Sequence, residues 1–187
     1  MAVQDFMIIA ISLPLIWGGG FQVVKYVLQK HSADVMALAV QFMPGFKDKE
    51  FVWAAVAFSW ALTMLSFQVV IWYTAWVCPS GKLDNKNPRQ QKEELTGFGA
   101  RMWSGHKNAH EAFPGFLGGV CCCVAFGVPY SSIAPACLLF VAARLAFHIM
   151  YALNIDMLRS FLFVLGFELN ALLFFRAIAP SVFPWFT

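Results

Sequence analysis

The chain alternates long uncharged runs with polar connections. Residues 51–77 carry no charge. As a helix they would extend about 40 Å, enough to cross a hydrocarbon core about 30 Å thick. A second uncharged run, 112–143, is too long for one span, and Pro129 and Pro135 divide it into two helices. The pattern predicts four long helices, near residues 51–78, 100–128, 131–154 and 157–179.

Polar or helix-breaking sequences mark the ends of these helices. Residues 78–81, Cys-Pro-Ser-Gly, end the first helix, and residues 82–107 form the main aqueous connection, rich in lysine and arginine. Residues 154–156 separate the third helix from the fourth, and residues 180–187 form a short C-terminal tail. The basic connection favours the cytoplasmic or an equivalent side of the membrane, although lysines before the first helix lie opposite and weaken this asymmetry.

The first 50 residues are apolar but interrupted. Pro14 and the triplet Gly18-Gly19-Gly20 break a stretch, 6–24, that is otherwise apolar enough to span. Three interpretations stay open: a fifth transmembrane helix, a helix lying in the plane of the interface, or an apolar targeting segment. We expect a further helix packed on the bundle. The domain organisation is then an apolar extension over 1–50 and one helical domain over 51–179.

Composition supports an all-α integral membrane protein, with a four-helix transmembrane bundle and an additional N-terminal apolar helix. Hydrophobic residues make up 60% of the 187 and charged residues 12%, against about 45–50% and about 25% in soluble domains. The net charge of +3 is small and has no continuous soluble face, which excludes nucleic-acid binding. Neither metal-ligand spacing nor a phosphate-binding glycine loop is present, and a channel or transporter is disfavoured because inverted repeats are missing.

Polar residues of the bundle are expected to meet at one membrane face. In an up-down bundle that face carries the start of the second helix, the end of the third and the start of the fourth. Offsets of three and four residues place polar side chains on one stripe of a helix. The stripes are Arg101, Ser104, Asn108 and Glu111 on the second helix, Arg144, His148 and Tyr151 on the third, and Arg159 opening the fourth.

Arg144 is a charge within an apolar helix and therefore needs a partner. Arg144 and Glu168 lie twelve residues on either side of Asp156, where the hairpin turns, and Glu111 lies at a similar depth. We predict that Arg144 forms an ion pair with Glu111 or Glu168 and faces the bundle. Spacing alone leaves open whether this group is a structural lock or part of a ligand site.

Several polar motifs of the chain resemble the MAPEG family, the membrane-associated proteins in eicosanoid and glutathione metabolism. The motifs are Asp84-Asn85-Lys86-Asn87-Pro88-Arg89, Gly97, Arg101, His106-Lys107-Asn108, Glu111-Ala112-Phe113-Pro114, Phe116, Arg144, Tyr151 and Leu158-Arg159-Ser160. The likeness is greatest to the small bacterial-type branch and covers about residues 51–179. It implies a four-helix bundle that assembles as a homotrimer, with glutathione between neighbouring subunits in the enzymatic members.

The resemblance also implies roles for individual residues. Asn108 and Glu111 would contact glutathione, Tyr151 would close over it, and Arg159 would be the catalytic residue that stabilises its thiolate. One departure is Ser104, where enzymatic relatives commonly have an arginine. A hydroxyl cannot make the bidentate carboxylate contact of a guanidinium. Arg101, one turn earlier, would have to reach the glutathione site instead.

Two functional hypotheses follow from this resemblance. The first is a glutathione-dependent transferase or peroxidase that acts on lipophilic electrophiles. The alternative is a non-catalytic, lipid-binding or accessory structural subunit of a larger membrane assembly, which Ser104 and the 1–50 extension favour. In both hypotheses the chain is a multi-pass protein of the lipid bilayer. His106 and His110 lie off the Asn108 stripe, so we expect them at the interface or near lipid headgroups rather than in chemistry.

Overall fold

The computed structural model describes residues 3–77, 83–182, 184 and 186, with side chains from residue 17 onward. All regular structure in these residues is helical. The helices are α1 (Val3–Lys30), α2 (Ser32–Phe42), α3 (Asp48–Val77), α4 (Pro88–Glu93), α5 (Gly97–Ala125), α6 (Tyr130–Leu153) and α7 (Asp156–Ile178). The four long helices that the sequence predicts are α3, α5, α6 and α7, and their ends fall within three residues of the prediction. The predicted break at 78–81 lies outside the described residues.

Three of the described helices are long and apolar enough to cross a membrane, namely α3, α6 and α7. Helix α5 matches them in length, but its first half carries the polar stripe from Arg101 to Glu111 and lowers its hydropathy. The sequence pattern predicted at least four spans, whereas hydropathy supports three among the described residues. In either case the chain is an all-helical membrane protein.

The core of the bundle lies where α5, α6 and α7 meet. Phe116 of α5 and Phe140 of α6 are fully buried, and their rings stack with centroids 4.1 Å apart. Leu172 and Leu173 of α7 are buried in the same cluster. Phe116 and Phe140 are buried between helices and therefore point away from lipid. Packing among the helices thus decides which of the many apolar residues form the core.

Two short turns connect the helices of the core, and both contain a left-handed residue. Gly127 has φ 71° between α5 and α6, and Asn154 has φ 61° after α6. Glycine and asparagine tolerate this region best. In each turn a backbone N–H returns to the preceding helix, from Val128 to the carbonyl of Cys123 and from Ile155 to that of Met150. These bonds end the helix sharply.

The N-terminal residues pack on the outside of the bundle, which confirms the expected additional helix. Helix α1 lies along α7, and α2 lies against α6. Trp17 contacts the Phe167 ring edge to face, with centroids 5.0 Å apart. Val24 and Leu28 of α1 are buried in the hydrophobic core. Gly20 brings the α1 backbone close to Val164 and Glu168 of α7.

Gly20→Ala is expected to lower the melting temperature, because the α1–α7 contact leaves little room for a side chain. An added Cβ would lie 2.9 Å from Glu168 Oε2 and 3.0 Å from Val164 Cγ1. The Glu168 carboxylate ends a flexible side chain and can move, whereas Val164 is stiff at χ1, so overpacking against Val164 carries the cost of about 1–3 kcal/mol. Gly19→Ala is the matched control, since an added Cβ there meets no atom within 4 Å, and alanine favours a helix over glycine by about 0.5–1 kcal/mol. Thermal unfolding of both variants in detergent checks this, and equal melting temperatures would contradict it.

Candidate functional site

A cleft of about 500 Å³ runs along α7, with its polar end against α5 and α6. The α7 residues that line the cleft recur every three or four positions, so they lie on one face of that helix. That wall consists of Phe163, Gly166, Phe167, Asn170, Ala171, Phe174, Phe175 and Ile178, and the opposite side is formed by Asn108, Glu111, Ala112, Gly115 and Arg144. The cleft is therefore amphiphilic, with one polar end and a long phenylalanine-rich wall.

Arg144 is the buried charge at the polar end. Its side chain is 4% exposed, and its guanidinium carbon lies 4.2 Å from the centroid of the Phe147 ring. Nη2 donates a hydrogen bond to Asn108 Oδ1 at 2.7 Å, and Asn108 Nδ2 donates a longer one, 3.5 Å, to Glu111 Oε2. Asn108 thus stands between the guanidinium and the carboxylate.

The predicted ion pair of Arg144 is wrong. Among the described residues neither Glu111 nor Glu168 lies within salt-bridge distance of Arg144, and Asn108 takes that place. Helix α7 presents Gly166 to the Arg144 side chain. Glu168, two residues later, is rotated by about 200° around the helix and lies against Gly20 of α1. Counting residues from the joint therefore brings the neighbourhood of Glu168 close to Arg144, but Glu168 itself lies on another face of α7.

Asn170 is a polar residue of the cleft that the sequence analysis missed. Its Nδ2 donates to the carbonyl of Ala112 at 3.4 Å, while its Oδ1 is buried and has no hydrogen-bond partner among the described residues. The spacing of Phe163, Phe167, Asn170 and Phe174 along α7 could have identified it, because these residues share one helical face.

A second polar group lies at the adjoining end of the bundle. Arg101 Nε donates to the carbonyl of Tyr151 at 3.0 Å and Nη2 to that of Ala152 at 3.4 Å. Arg159 lies over the Tyr151 ring, 4.6 Å from its centroid. The start of α5, the end of α6 and the start of α7 therefore do meet at one face. Phe163, one turn after Arg159 on α7, lines the cleft, so the two polar groups are neighbours along the bundle.

The predicted site residues accordingly divide between these two groups. Asn108 and Glu111 line the cleft, as does Arg144. Tyr151 and Arg159 stack on each other one turn beyond it. Arg101 donates to the last carbonyls of α6, which satisfies that helix end. Its contact with glutathione stays a prediction.

His106 is a core residue, which corrects the expectation that it lies at the interface. It is 4% exposed, and its Nδ1 lies 3.1 Å from Ser66 Oγ and 3.2 Å from the Thr63 carbonyl oxygen. These contacts join α5 to α3. His110 is exposed, in agreement with the expectation. Within the described part of the chain, His, Cys, Asp and Glu form no group of three that could hold a metal ion.

The motif at 84–89 shapes the connection before α5. Asp84 Oδ1 accepts hydrogen bonds from the backbone N–H groups of Lys86, at 2.8 Å, and Asn87, at 3.0 Å. These bonds hold the pKa of the Asp84 carboxyl below its ordinary value. Pro88 then starts α4, at a position where its missing N–H costs no helical hydrogen bond.

The fold defines a helical integral membrane protein, and its amphiphilic cleft is a candidate ligand site. The model of the MAPEG family matches residues 51–179 of the chain, which is well over half of its length. The chain belongs to the MAPEG family. No curated protein and no solved structure matches it.

Proposed function

We propose that this MAPEG protein binds glutathione at the polar end of the cleft. It would catalyse either the transfer of glutathione to lipophilic electrophiles or the reduction of lipophilic peroxides by glutathione. The observation that carries the proposal is the continuity of the Arg144–Asn108–Glu111 group with the phenylalanine wall of α7. A polar tripeptide and an apolar substrate could share such a cleft. Its volume lies within the range of about 300–1,000 Å³ usual for small-molecule sites.

The residues present fit a carboxylate-bearing tripeptide. A guanidinium has five N–H donors, and the partner of Arg144 among the described side chains is the neutral amide of Asn108. Its charge would therefore favour a ligand carboxylate and could fill the role that Ser104 cannot. The buried Oδ1 of Asn170 is an acceptor suited to an amide N–H of the ligand.

Glutathione supplies a thiol, whose anion is the nucleophile or reductant in chemistry of this kind. We assign Arg159 the task of favouring that anion, because a guanidinium stays charged at any physiological pH. The Tyr151 ring holds the guanidinium in place through the cation–π contact at 4.6 Å. The Phe163 and Phe167 side chains would keep water from the apolar part of the cleft.

The oligomer and the branch of the family are part of the same proposal. We expect a homotrimer, as in family members that bind glutathione between subunits. We also assign the chain to the bacterial-type branch of the family because of the motif at 84–89. The exposed Trp60, Leu65 and Trp72 of α3 offer an apolar surface for lipid or for a neighbouring subunit. Light scattering of the detergent-solubilised protein would give the number of subunits.

The second candidate function is non-catalytic, either lipid binding or service as an accessory subunit of a larger assembly. Two observations favour it. Ser104 replaces the arginine of the enzymatic relatives, and α1 reaches the edge of the cleft through the contact of Trp17 with Phe167. In this case an acyl chain would occupy the phenylalanine wall, and glutathione would not enter.

Isothermal titration with glutathione, followed by conjugation and hydroperoxide assays in detergent, tests the enzyme proposal. We expect binding and turnover in the wild type, weaker binding in Arg144→Gln, and tighter binding in Ser104→Arg, which restores a guanidinium one turn before Asn108. Arg176→Gln, at the far end of α7, is the control for a lost arginine and should bind as the wild type does. No binding at millimolar glutathione would reject the enzyme proposal and favour the accessory role.

A further inference from the structure

A second cavity, of about 610 Å³, lies between α3, α4 and α5 and contains an excess of positive charge. We call it the basic groove and define it by Met64 and Phe67 of α3, Arg89 and Lys92 of α4, and Trp103 and Lys107 of α5. Glu111 borders both this groove and the α7 cleft. Among the described residues that line the groove, no other is acidic. Glu111 lies two turns farther along α5 than Trp103.

Lys92 is the cation most enclosed by the groove. Its side chain is 5% exposed, its Nζ donates to the Pro88 carbonyl at 2.9 Å, and the same Nζ lies 5.1 Å from the centroid of the Phe67 ring. No carboxylate of the described residues lies within salt-bridge distance of Lys92 or Arg89. Burying an ammonium without a carboxylate partner is costly, and an anion in the groove would offset that cost.

The remaining cation of the groove is already paired. Lys107 Nζ lies 3.1 Å from Glu93 Oε1, which also accepts a hydrogen bond from Trp103 Nε1 at 2.8 Å. These contacts hold the indole beside the groove and lower the pKa of the Glu93 carboxyl, which keeps Glu93 ionised. Arg89 and Lys92 therefore carry the uncompensated charge.

The groove lies where the bundle leaves the hydrocarbon core. Its charged part, α4, belongs to the polar connection at 82–107, whereas Met64 and Phe67 belong to the uncharged run of α3. Charged α4 packs beside this part of α3, and a tryptophan is typical of the same level. Met64, one turn deeper than Phe67, continues the groove as an apolar surface. Charge at the boundary and an apolar surface below it match a lipid better than a soluble ion.

The geometry points to the basic groove as a binding site for an acidic phospholipid, with the phosphate between Arg89 and Lys92 and an acyl chain along Phe67 and Met64. Basic pockets beside transmembrane helices bind such headgroups through charge-assisted hydrogen bonds. Burial lowers the pKa of the Lys92 ammonium, because desolvation disfavours its charged form, and a bound phosphate would offset that cost. This site is separate from the proposed glutathione site, which Asn108 and Arg144 form.

Native mass spectrometry with phosphatidylglycerol and phosphatidylcholine of identical acyl chains tests the lipid site. We expect the wild type to retain phosphatidylglycerol preferentially, and Arg89→Gln and Lys92→Gln each to reduce that preference by about fivefold. Lys86→Gln is the matched control, because it removes the same charge from the same connection but does not line the groove. Arg89 and Lys86 are both exposed, so neither change should disturb folding.

Four outcomes would overturn the lipid assignment. Equal retention of the two lipids removes the preference, and an equal loss in Lys86→Gln makes it a general charge effect. Displacement of the lipid by inorganic phosphate at low millimolar concentration identifies a soluble anion as the ligand, and displacement by glutathione assigns the groove to the glutathione site. Failure of the wild type to bind glutathione would reject the enzyme proposal alone, because the lipid assay does not depend on Asn108 or Arg144.

Discussion

Asn108→Ala should lower the free energy of unfolding by about 2–3 kcal/mol, because it leaves the buried guanidinium of Arg144 without its protein hydrogen-bond partner. Hydrogen bonds to charged groups contribute about 1.5–3 kcal/mol, and an unsatisfied buried charge adds its own desolvation penalty. The Arg144 side chain is 4% exposed, and Asn108 is the side chain that accepts its hydrogen bond among the described residues. For a chain of this size the melting temperature should fall by roughly 5–10 °C.

Two further variants make the Asn108 prediction specific. Glu111→Ala should change stability by about 0.5 kcal/mol or less, because Glu111 is exposed and contacts Asn108 rather than Arg144. The double variant Asn108→Leu with Arg144→Met removes both polar groups and should be more stable than Asn108→Ala alone. Equilibrium unfolding in mixed micelles gives all three values. Equal losses in Asn108→Ala and Glu111→Ala would show that the buried hydrogen bond does not stabilise the bundle.

Arg159→Ala should reduce the turnover number about 10²–10³-fold, with little change in glutathione affinity, if the enzyme proposal holds. Removing one preorganised group that stabilises developing negative charge has effects of this size. A contact that matters mainly to the reacting anion affects turnover more than binding. Arg159 is half-buried over the Tyr151 ring rather than in the polar end of the cleft, so binding should depend on Arg144 instead.

The charge and the stacking of Arg159 can be separated by two matched changes. Arg159→Lys keeps the positive charge but loses the planar stack, and Tyr151→Phe keeps the ring but removes the hydroxyl. We expect both variants to retain more turnover than Arg159→Ala. Ultraviolet absorbance of the bound thiolate across a pH series should show the thiolate at lower pH in the wild type than in Arg159→Ala, because the cation favours the anion. Identical titrations in the two proteins would contradict the assigned role.

The helices and their joints could be predicted from the sequence, because in a membrane the backbone must satisfy its hydrogen bonds within each segment. Uncharged runs therefore become helices, and local breakers end them. The α5–α6 turn follows from Pro129 and the left-handed Gly127, and the end of α6 follows from Asn154, which also adopts that region. The meeting of the start of α5, the end of α6 and the start of α7 at one face then follows from the alternating direction of the helices.

The partners of the buried polar groups depended on the tertiary structure. Counting residues from a turn gives the depth of Glu168, but the rotation of α7 turns that carboxylate toward Gly20 and presents Gly166 to Arg144. In the same way Arg101 lies on the predicted stripe, yet it binds the carbonyls that end α6. Lys92 lies in a polar connection and becomes buried only because α4 folds back onto α3 and α5. The depth of a residue and the helical period are properties of a single segment. A contact between two helices also depends on how each is rotated about its axis, and the packing of the whole bundle decides that rotation.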